Sequence, residues 1–130
     1  MKLLIDTHSW LWLLDSPHRL GEQALQLLRH PSHEIYFSAA SAWELAIKFR
    51  LGKLRLPEPP HTFVPARLAQ NAMTELPIAL VHALAVDTLP MHHHDPFDRL
   101  LIVQAQIERL PLMTADPAFK SYDVELIFVP

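Results

Sequence analysis

The chain has 130 residues, half of them hydrophobic and none of them cysteine, which fits one globular domain spanning residues 1–130 and excludes intrinsic disorder, disulfides and thiolate metal sites. The formal net charge of −3 argues mildly against a protein that coats nucleic acid, but it allows an acidic metal site beside a local basic patch. No segment approaches the ~20 apolar residues of a membrane span and the N-terminus lacks signal-peptide features, so we expect a cytoplasmic protein.

Short apolar strands alternate with helices along the chain. We predict strands at 2–5, 34–38, 75–78, 111–114 and 125–129. We predict helices at 7–14, 21–30, 41–51, 62–72, 79–86 and 97–109. This alternation is typical of βαβ units and predicts an α/β fold, a three-layer α/β/α sandwich with a central, mainly parallel sheet. Ligands of such sheets bind beyond the carboxyl ends of the strands, so polar residues that follow strands are site candidates.

Several acidic residues stand where helices begin, and helix capping alone could explain each of them. Asp6 could cap the first helix, and Asp116 could cap a turn that opens at Pro117. Asp95 could cap the helix that opens with Pro96, with Asp98 in its first turn. For the helix at 41–51, Ser41 and Glu44 match the spacing of a capping box.

Capping does not explain why several of these helix starts would meet at one edge of a parallel sheet. Carboxylates gathered there would repel one another and raise each other's pKa values unless a cation lay between them. Oxygen ligands without cysteine suit Mg²⁺ or Mn²⁺ better than Zn²⁺. The pattern therefore predicts a divalent-metal site of the kind that hydrolyses phosphodiesters.

Four stretches, in their order along the chain, resemble the PIN-domain family, and within it the VapC-type toxins of toxin–antitoxin pairs. They are LLIDTHSWLW from Leu3, SAASAWELAIK at 38–48, HDPFDRLLIVQA at 94–105 and PLMTAD at 111–116. The resemblance implies an endoribonuclease that depends on Mg²⁺ or Mn²⁺, is restrained by an antitoxin protein and forms a homodimer. It also implies which residues hold the metal and act in catalysis: Asp6, Glu44, Asp98 and Asp116, with Thr114 as an auxiliary candidate. Asp95 is an additional acid three residues before Asp98, where one helical turn would make both face the same way, and it stays open between an auxiliary site residue and a cap.

A short basic run and a histidine triplet allow two interpretations each. Lys48, Arg50, Lys53 and Arg55 could contact RNA phosphates, but a solvated helix end explains them slightly better. The triplet at 92–94 is interpreted as a polar loop rather than as metal ligands, although His94 could line the edge of the site or bind phosphate. We expect Arg99 to be a surface or salt-bridging residue.

The remaining expectations concern the places of the three tryptophans and two alternative functions of the protein. Trp10, Trp12 and Trp43 are expected in the core or at a subunit interface rather than as platforms for bases. A metal-dependent phosphatase is disfavoured because Asp6-Thr7-His8 lacks the second acid of an Asp-x-Asp pair. A module without catalysis, whose acids only cap helices and whose surface binds a protein, stays open as the main alternative.

Overall fold

A five-stranded parallel sheet forms the centre of the molecule in the computed structural model, which describes all residues from 1 to 130. The strands are β1 (Lys2–Ile5), β2 (Glu34–Ser38), β3 (Thr74–Leu76), β4 (Leu112–Thr114) and β5 (Leu126–Phe128). Their order across the sheet is β3-β2-β1-β4-β5, and every neighbouring pair is parallel. Together with helices on both faces, this confirms the predicted three-layer α/β/α sandwich.

Six α-helices connect the strands. They are α1 (Thr7–Asp15), α2 (Glu22–Arg29), α3 (Ala39–Arg50), α4 (Pro60–Gln70), α5 (Leu80–Ala85) and α6 (Pro96–Glu108). Of three short 3₁₀ turns, at Pro17–Leu20, Val86–Thr88 and Pro117–Ser121, only the last was anticipated, as the turn that opens at Pro117. No helix is long and apolar enough to cross a membrane.

The two faces of the sheet bury separate cores because successive strand side chains point to opposite sides. On β1, Leu3 and Ile5 belong to one core, which they share with Trp10 of α1. Leu4, between them in sequence, belongs to the other core, together with Leu101 of α6. Apart from the exposed Lys2 at its start, the central strand is fully buried, which explains the apolar run from Leu3 to Ile5.

The start of α3 differs from the prediction. The helix begins at Ala39, and its N-cap is Ser38, whose side chain accepts a hydrogen bond from the Ala40 amide (2.9 Å). The predicted capping box at Ser41 and Glu44 is therefore wrong. Ser41 lies inside the helix, where its hydroxyl accepts a hydrogen bond from Thr7 Oγ1 (2.8 Å). Ser38, three residues before Ser41, occupies the capping position because strand β2 ends there.

Two further expectations about single residues need correction. Arg99 is buried rather than on the surface, and its guanidinium donates to backbone carbonyls instead of forming a salt bridge. Trp10 lies in the core and Trp12 is half-buried, but Trp43 is 54% exposed and packs edge-on against Phe97. A core position for Trp43 is therefore wrong, and its role at an interface stays a prediction.

Candidate active site

Asp6 follows directly from the central strand β1 and is almost completely buried. Its Oδ1 caps helix α1 by accepting a hydrogen bond from the Ser9 amide (2.9 Å). Its Oδ2 accepts a hydrogen bond from the hydroxyl of Thr114 at the end of β4 (2.6 Å). Burial raises the pKa of Asp6, and these hydrogen bonds oppose the rise. The carboxylate is therefore held in one orientation by two neighbouring elements.

Thr114 also orients the second acid on this side of the sheet. Its Oγ1 accepts a hydrogen bond from the Asp116 amide (3.0 Å). Asp116 Oδ1 in turn caps the following 3₁₀ turn by accepting from the Ala118 amide (2.9 Å). The predicted cap at Asp116 is confirmed, and its other oxygen is directed toward His93.

The first turn of α6 supplies two acids with different partners. Asp95 is the N-cap, as predicted, and its Oδ1 accepts hydrogen bonds from the amides of Phe97 (2.8 Å) and Asp98 (3.1 Å). Asp98 makes no such capping bond, and its Oδ2 lies 3.0 Å from His93 Nε2. Capping thus explains Asp95 but leaves Asp98 without a structural role.

Glu44 lies in the middle of α3, so capping cannot explain it. Its side chain is buried, and its Oε2 accepts a hydrogen bond from Lys48 Nζ one turn later (2.5 Å). Its Oε1 is buried without any hydrogen-bond partner. A buried carboxylate oxygen without a partner is costly, which indicates a missing ligand such as a cation.

These residues line one cleft of about 420 Å³ beyond the carboxyl ends of β1 and β4, which we call the acidic cleft. Its lining residues are Asp6, Thr7, His8, Trp12, Glu44, Lys48, His93, Asp95, Asp98, Ala115 and Asp116. The tightest group within it consists of His93, Asp98 and Asp116, whose ligand atoms all lie within 4.8 Å of one another. All four acids named from the sequence therefore meet in one place, and Asp95 joins them.

The electrostatics of the acidic cleft favour a bound cation. Burial is the main cause that raises the pKa of Asp98 to about 8. Repulsion adds to this rise, and it comes from the other acids of the cleft: Asp95, Glu44, Asp6 and Asp116. The hydrogen bond to Glu44 raises the pKa of Lys48, so that this cation offsets part of the negative charge. Hard oxygen donors in this number fit a divalent cation such as Mg²⁺ or Mn²⁺.

The structure separates the basic run into residues near the cleft and residues away from it. Lys48 lines the acidic cleft, whereas Arg55 lines a neighbouring cleft that shares His8 and Trp12 with it. Arg50 and Lys53 are exposed and line neither of these clefts. Contact with RNA by the whole run stays a prediction.

A sequence profile of the PIN domain family matches residues 3–125. The chain belongs to the PIN domain family. The family resemblance inferred from the four sequence stretches is thereby confirmed.

Two known proteins are similar to this chain. A stretch of 50 residues, 38% of the chain, is 46% identical to Ribonuclease VapC16 of Mycobacterium tuberculosis, and the match spans about a third of that relative's length (36%). Among solved structures, VapBC2 from Rickettsia felis, bound to a DNA fragment from its promoter, superposes with a TM-score of 0.75. That match covers 100% of both chains at 16% identity, so it supports the fold alone.

His93 is one of the cleft residues that the sequence interpretation missed. The sequence pattern favours His94 as the histidine that could line the edge of the site, but His93 enters the acidic cleft and His94 is exposed. The triplet does precede the helix cap as predicted, but its three histidines are alike in sequence. Only the path of the loop in three dimensions distinguishes them.

Proposed function

We propose that this PIN-domain protein is an endoribonuclease that requires Mg²⁺ or Mn²⁺ and acts as the toxin of a toxin–antitoxin pair. The observation that carries the proposal is the gathering of five carboxylates in one cleft, where the pKa of Asp98 is raised to about 8. The buried Glu44 Oε1 without a partner supports it independently. Acids that served only as helix caps would have no need to share a cleft.

The proposed roles follow from the contacts of each acid. Asp6, Glu44, Asp98 and Asp116 would hold the cation, with Asp95 as an auxiliary acid beside Asp98. When bound, a divalent cation in such a site activates a water molecule and stabilises negative charge on the phosphate. Thr114 orients Asp6 through its hydroxyl and Asp116 through the amide of that residue.

The open side of the cleft is where an RNA strand would enter. Lys48 lines the cleft and is the basic residue best placed to contact a phosphate beside the acids. Arg55 lies further along, in the neighbouring cleft, and Arg50 and Lys53 would act only at longer range. A positive charge near the acids lowers the repulsion that a phosphate would meet there.

The remaining parts of the proposal rest on the family resemblance. They are a cognate antitoxin as the protein partner, a homodimer as the assembly and the cytoplasm as the location. The name of the Mycobacterium tuberculosis relative, a ribonuclease, supports RNA as the substrate. Light scattering of the purified protein measures the assembly directly, and a monomer at micromolar concentration would contradict the homodimer.

Cleavage of end-labelled RNA by the purified protein, freed of any antitoxin, tests the activity. We expect cleavage with Mn²⁺ or Mg²⁺, none with EDTA, and a loss of at least ~100-fold in Asp98→Asn because a cation ligand is removed. Asp123→Asn is the matched control, since Asp123 is exposed and lies outside the acidic cleft. Metal-supported cleavage that is equal in the wild type and in Asp98→Asn would contradict the site, and no cleavage by the wild type would favour a non-catalytic module.

A further inference from the structure

His93 bridges two acids that come from different elements of the fold. Its Nε2 lies 3.0 Å from Asp98 Oδ2, in the first turn of α6. The same nitrogen lies 3.3 Å from Asp116 Oδ2, after β4. The two carboxylates are 18 positions apart along the chain, so the imidazole is a direct physical connection between them.

The hydrogen bond on the other ring nitrogen decides which atom carries the proton. His93 Nδ1 accepts a hydrogen bond from the Asp95 amide (3.3 Å). A nitrogen that accepts a hydrogen bond has no proton, so the proton of the neutral ring lies on Nε2. Nε2–H therefore donates a hydrogen bond to Asp116 Oδ2 (3.3 Å), and Asp98 Oδ2 lies in close polar contact with the same nitrogen (3.0 Å). In this tautomer Nε2 cannot bind a metal.

Two side chains fix the backbone of the loop that carries His93. The hydroxyl of Tyr122 accepts hydrogen bonds from the amides of His92 (3.0 Å) and His93 (2.7 Å), and it donates to the Pro90 carbonyl (2.8 Å). The buried Arg99 guanidinium donates to the Pro90 carbonyl (2.9 Å) and to the His93 carbonyl (3.3 Å).

The same guanidinium reaches further back along the chain, to the carbonyls of Val86 and Leu89 (both 3.1 Å). Arg99 forms no ion pair here, because none of its hydrogen-bond partners is a carboxylate. The segment from 86 to 93 is therefore held against α6, and His93 enters the cleft from a backbone that is anchored in the core.

We propose that His93 is a positioning residue: its Nε2–H donates a hydrogen bond to Asp116 and the same nitrogen contacts Asp98, which holds both carboxylates in place and raises the affinity of the cleft for its cation. The inference rests on the proposed metal site. It differs from the simpler alternative in which His93 itself is a ligand, because ligation would require Nε2 to lose its proton. Hydrogen-bond partners of metal ligands typically contribute 10–100-fold to metal affinity.

The tautomer of His93 is measured by NMR with ¹⁵N-labelled protein, at one fixed pH, before and after addition of Mg²⁺. The His93 signals are assigned by their loss in His93→Gln. We expect the proton on Nε2, and not on Nδ1, both without the cation and with it. A proton on Nδ1, or loss of the Nε2 proton when Mg²⁺ binds, would overturn the proposal.

Calorimetric titration with Mn²⁺ measures the effect on affinity without relying on RNA cleavage. We expect His93→Ala to weaken binding by ~10–100-fold. His93→Gln should stay within ~3-fold of the wild type, because its amide can place an N–H near the position of Nε2. His94→Ala is the matched control and should bind as the wild type does, since His94 is exposed and outside the cleft.

The outcomes of the titration separate this inference from the proposed function. Tight Mn²⁺ binding by the wild type that is unchanged in His93→Ala would overturn the positioning role and leave the metal site standing. Weak binding by both His93→Ala and His93→Gln would also overturn it, because a donor at this position would then not suffice. No binding by the wild type would overturn the metal site itself, and the positioning role with it.

Discussion

Asp98 makes the stability of the metal-free protein depend on pH. Its pKa is raised from 3.8 to about 8 in the folded protein, so between these values the folded state holds a proton that the unfolded state has released. The contribution of Asp98 to stability should therefore be greatest in acid and fall as the pH rises toward 8, by up to about 1.4 kcal/mol per pH unit. Urea unfolding in EDTA at pH 5, 6, 7 and 8 measures this fall.

Asp98→Asn is the control for that measurement, since an amide does not ionise. Its unfolding free energy should change less between pH 5 and pH 8 than that of the wild type. A wild-type protein without cation whose stability rises over this range would contradict the raised pKa of Asp98, because acids with lowered pKa values give the opposite sign. Asp123→Asn, which changes an exposed acid, should retain the wild-type fall.

Among the secondary-structure elements, α6 ends in a strained backbone conformation that a single substitution can relieve. Arg109 is the C-cap of this helix and has left-handed backbone angles (φ 56°, ψ 49°), which side chains with a Cβ disfavour. Arg109→Gly should therefore raise the free energy of unfolding by ~0.5–1 kcal/mol, measured by urea denaturation. Arg29→Gly, in the last turn of α2, is the matched control and should lower it.

The elements themselves were largely predictable because their signals are local. Asp95-Pro96 marked the start of α6, and apolar residues marked β1, within one residue of the structure. The start of α3 was not predictable in this way, because Ser38 and Ser41 both offer a capping hydroxyl. The choice between them depends on where β2 stops pairing with β3, which is a contact distant in sequence.

For the whole molecule, the cation should act as a stabilising ligand that connects several elements. The four proposed ligands follow β1 and β4 or belong to α3 and α6, so an ion bound by them opposes the separation of these parts. Mn²⁺ at 100 times its dissociation constant should add ~2.7 kcal/mol to the unfolding free energy, which raises Tm by several degrees. Thermal melts at pH 7 with Mn²⁺ and with EDTA measure this difference.

Asp98→Asn should lose most of the Mn²⁺-dependent rise in Tm, and Asp123→Asn should keep it. An equal rise in both variants would indicate that the ion binds elsewhere on this acidic protein. The comparison with EDTA separates an effect of the bound cation from a direct effect of the substitution, since the latter is present in both conditions.

The sequence alone determined the α/β sandwich, the family and the identity of the candidate acids. Strand and helix patterns are local, and in a parallel sheet the residues after strands come to the same edge, so Asp6 and Asp116 could be placed without coordinates. Tertiary structure alone decided that Arg99 is buried, that Glu44 Oε1 lacks a partner and that His93 rather than His94 enters the cleft. The places of Arg99 and His93 depend on how the 86–93 segment packs against α6 and Tyr122, and contacts between segments distant in sequence leave no periodic signal in the chain.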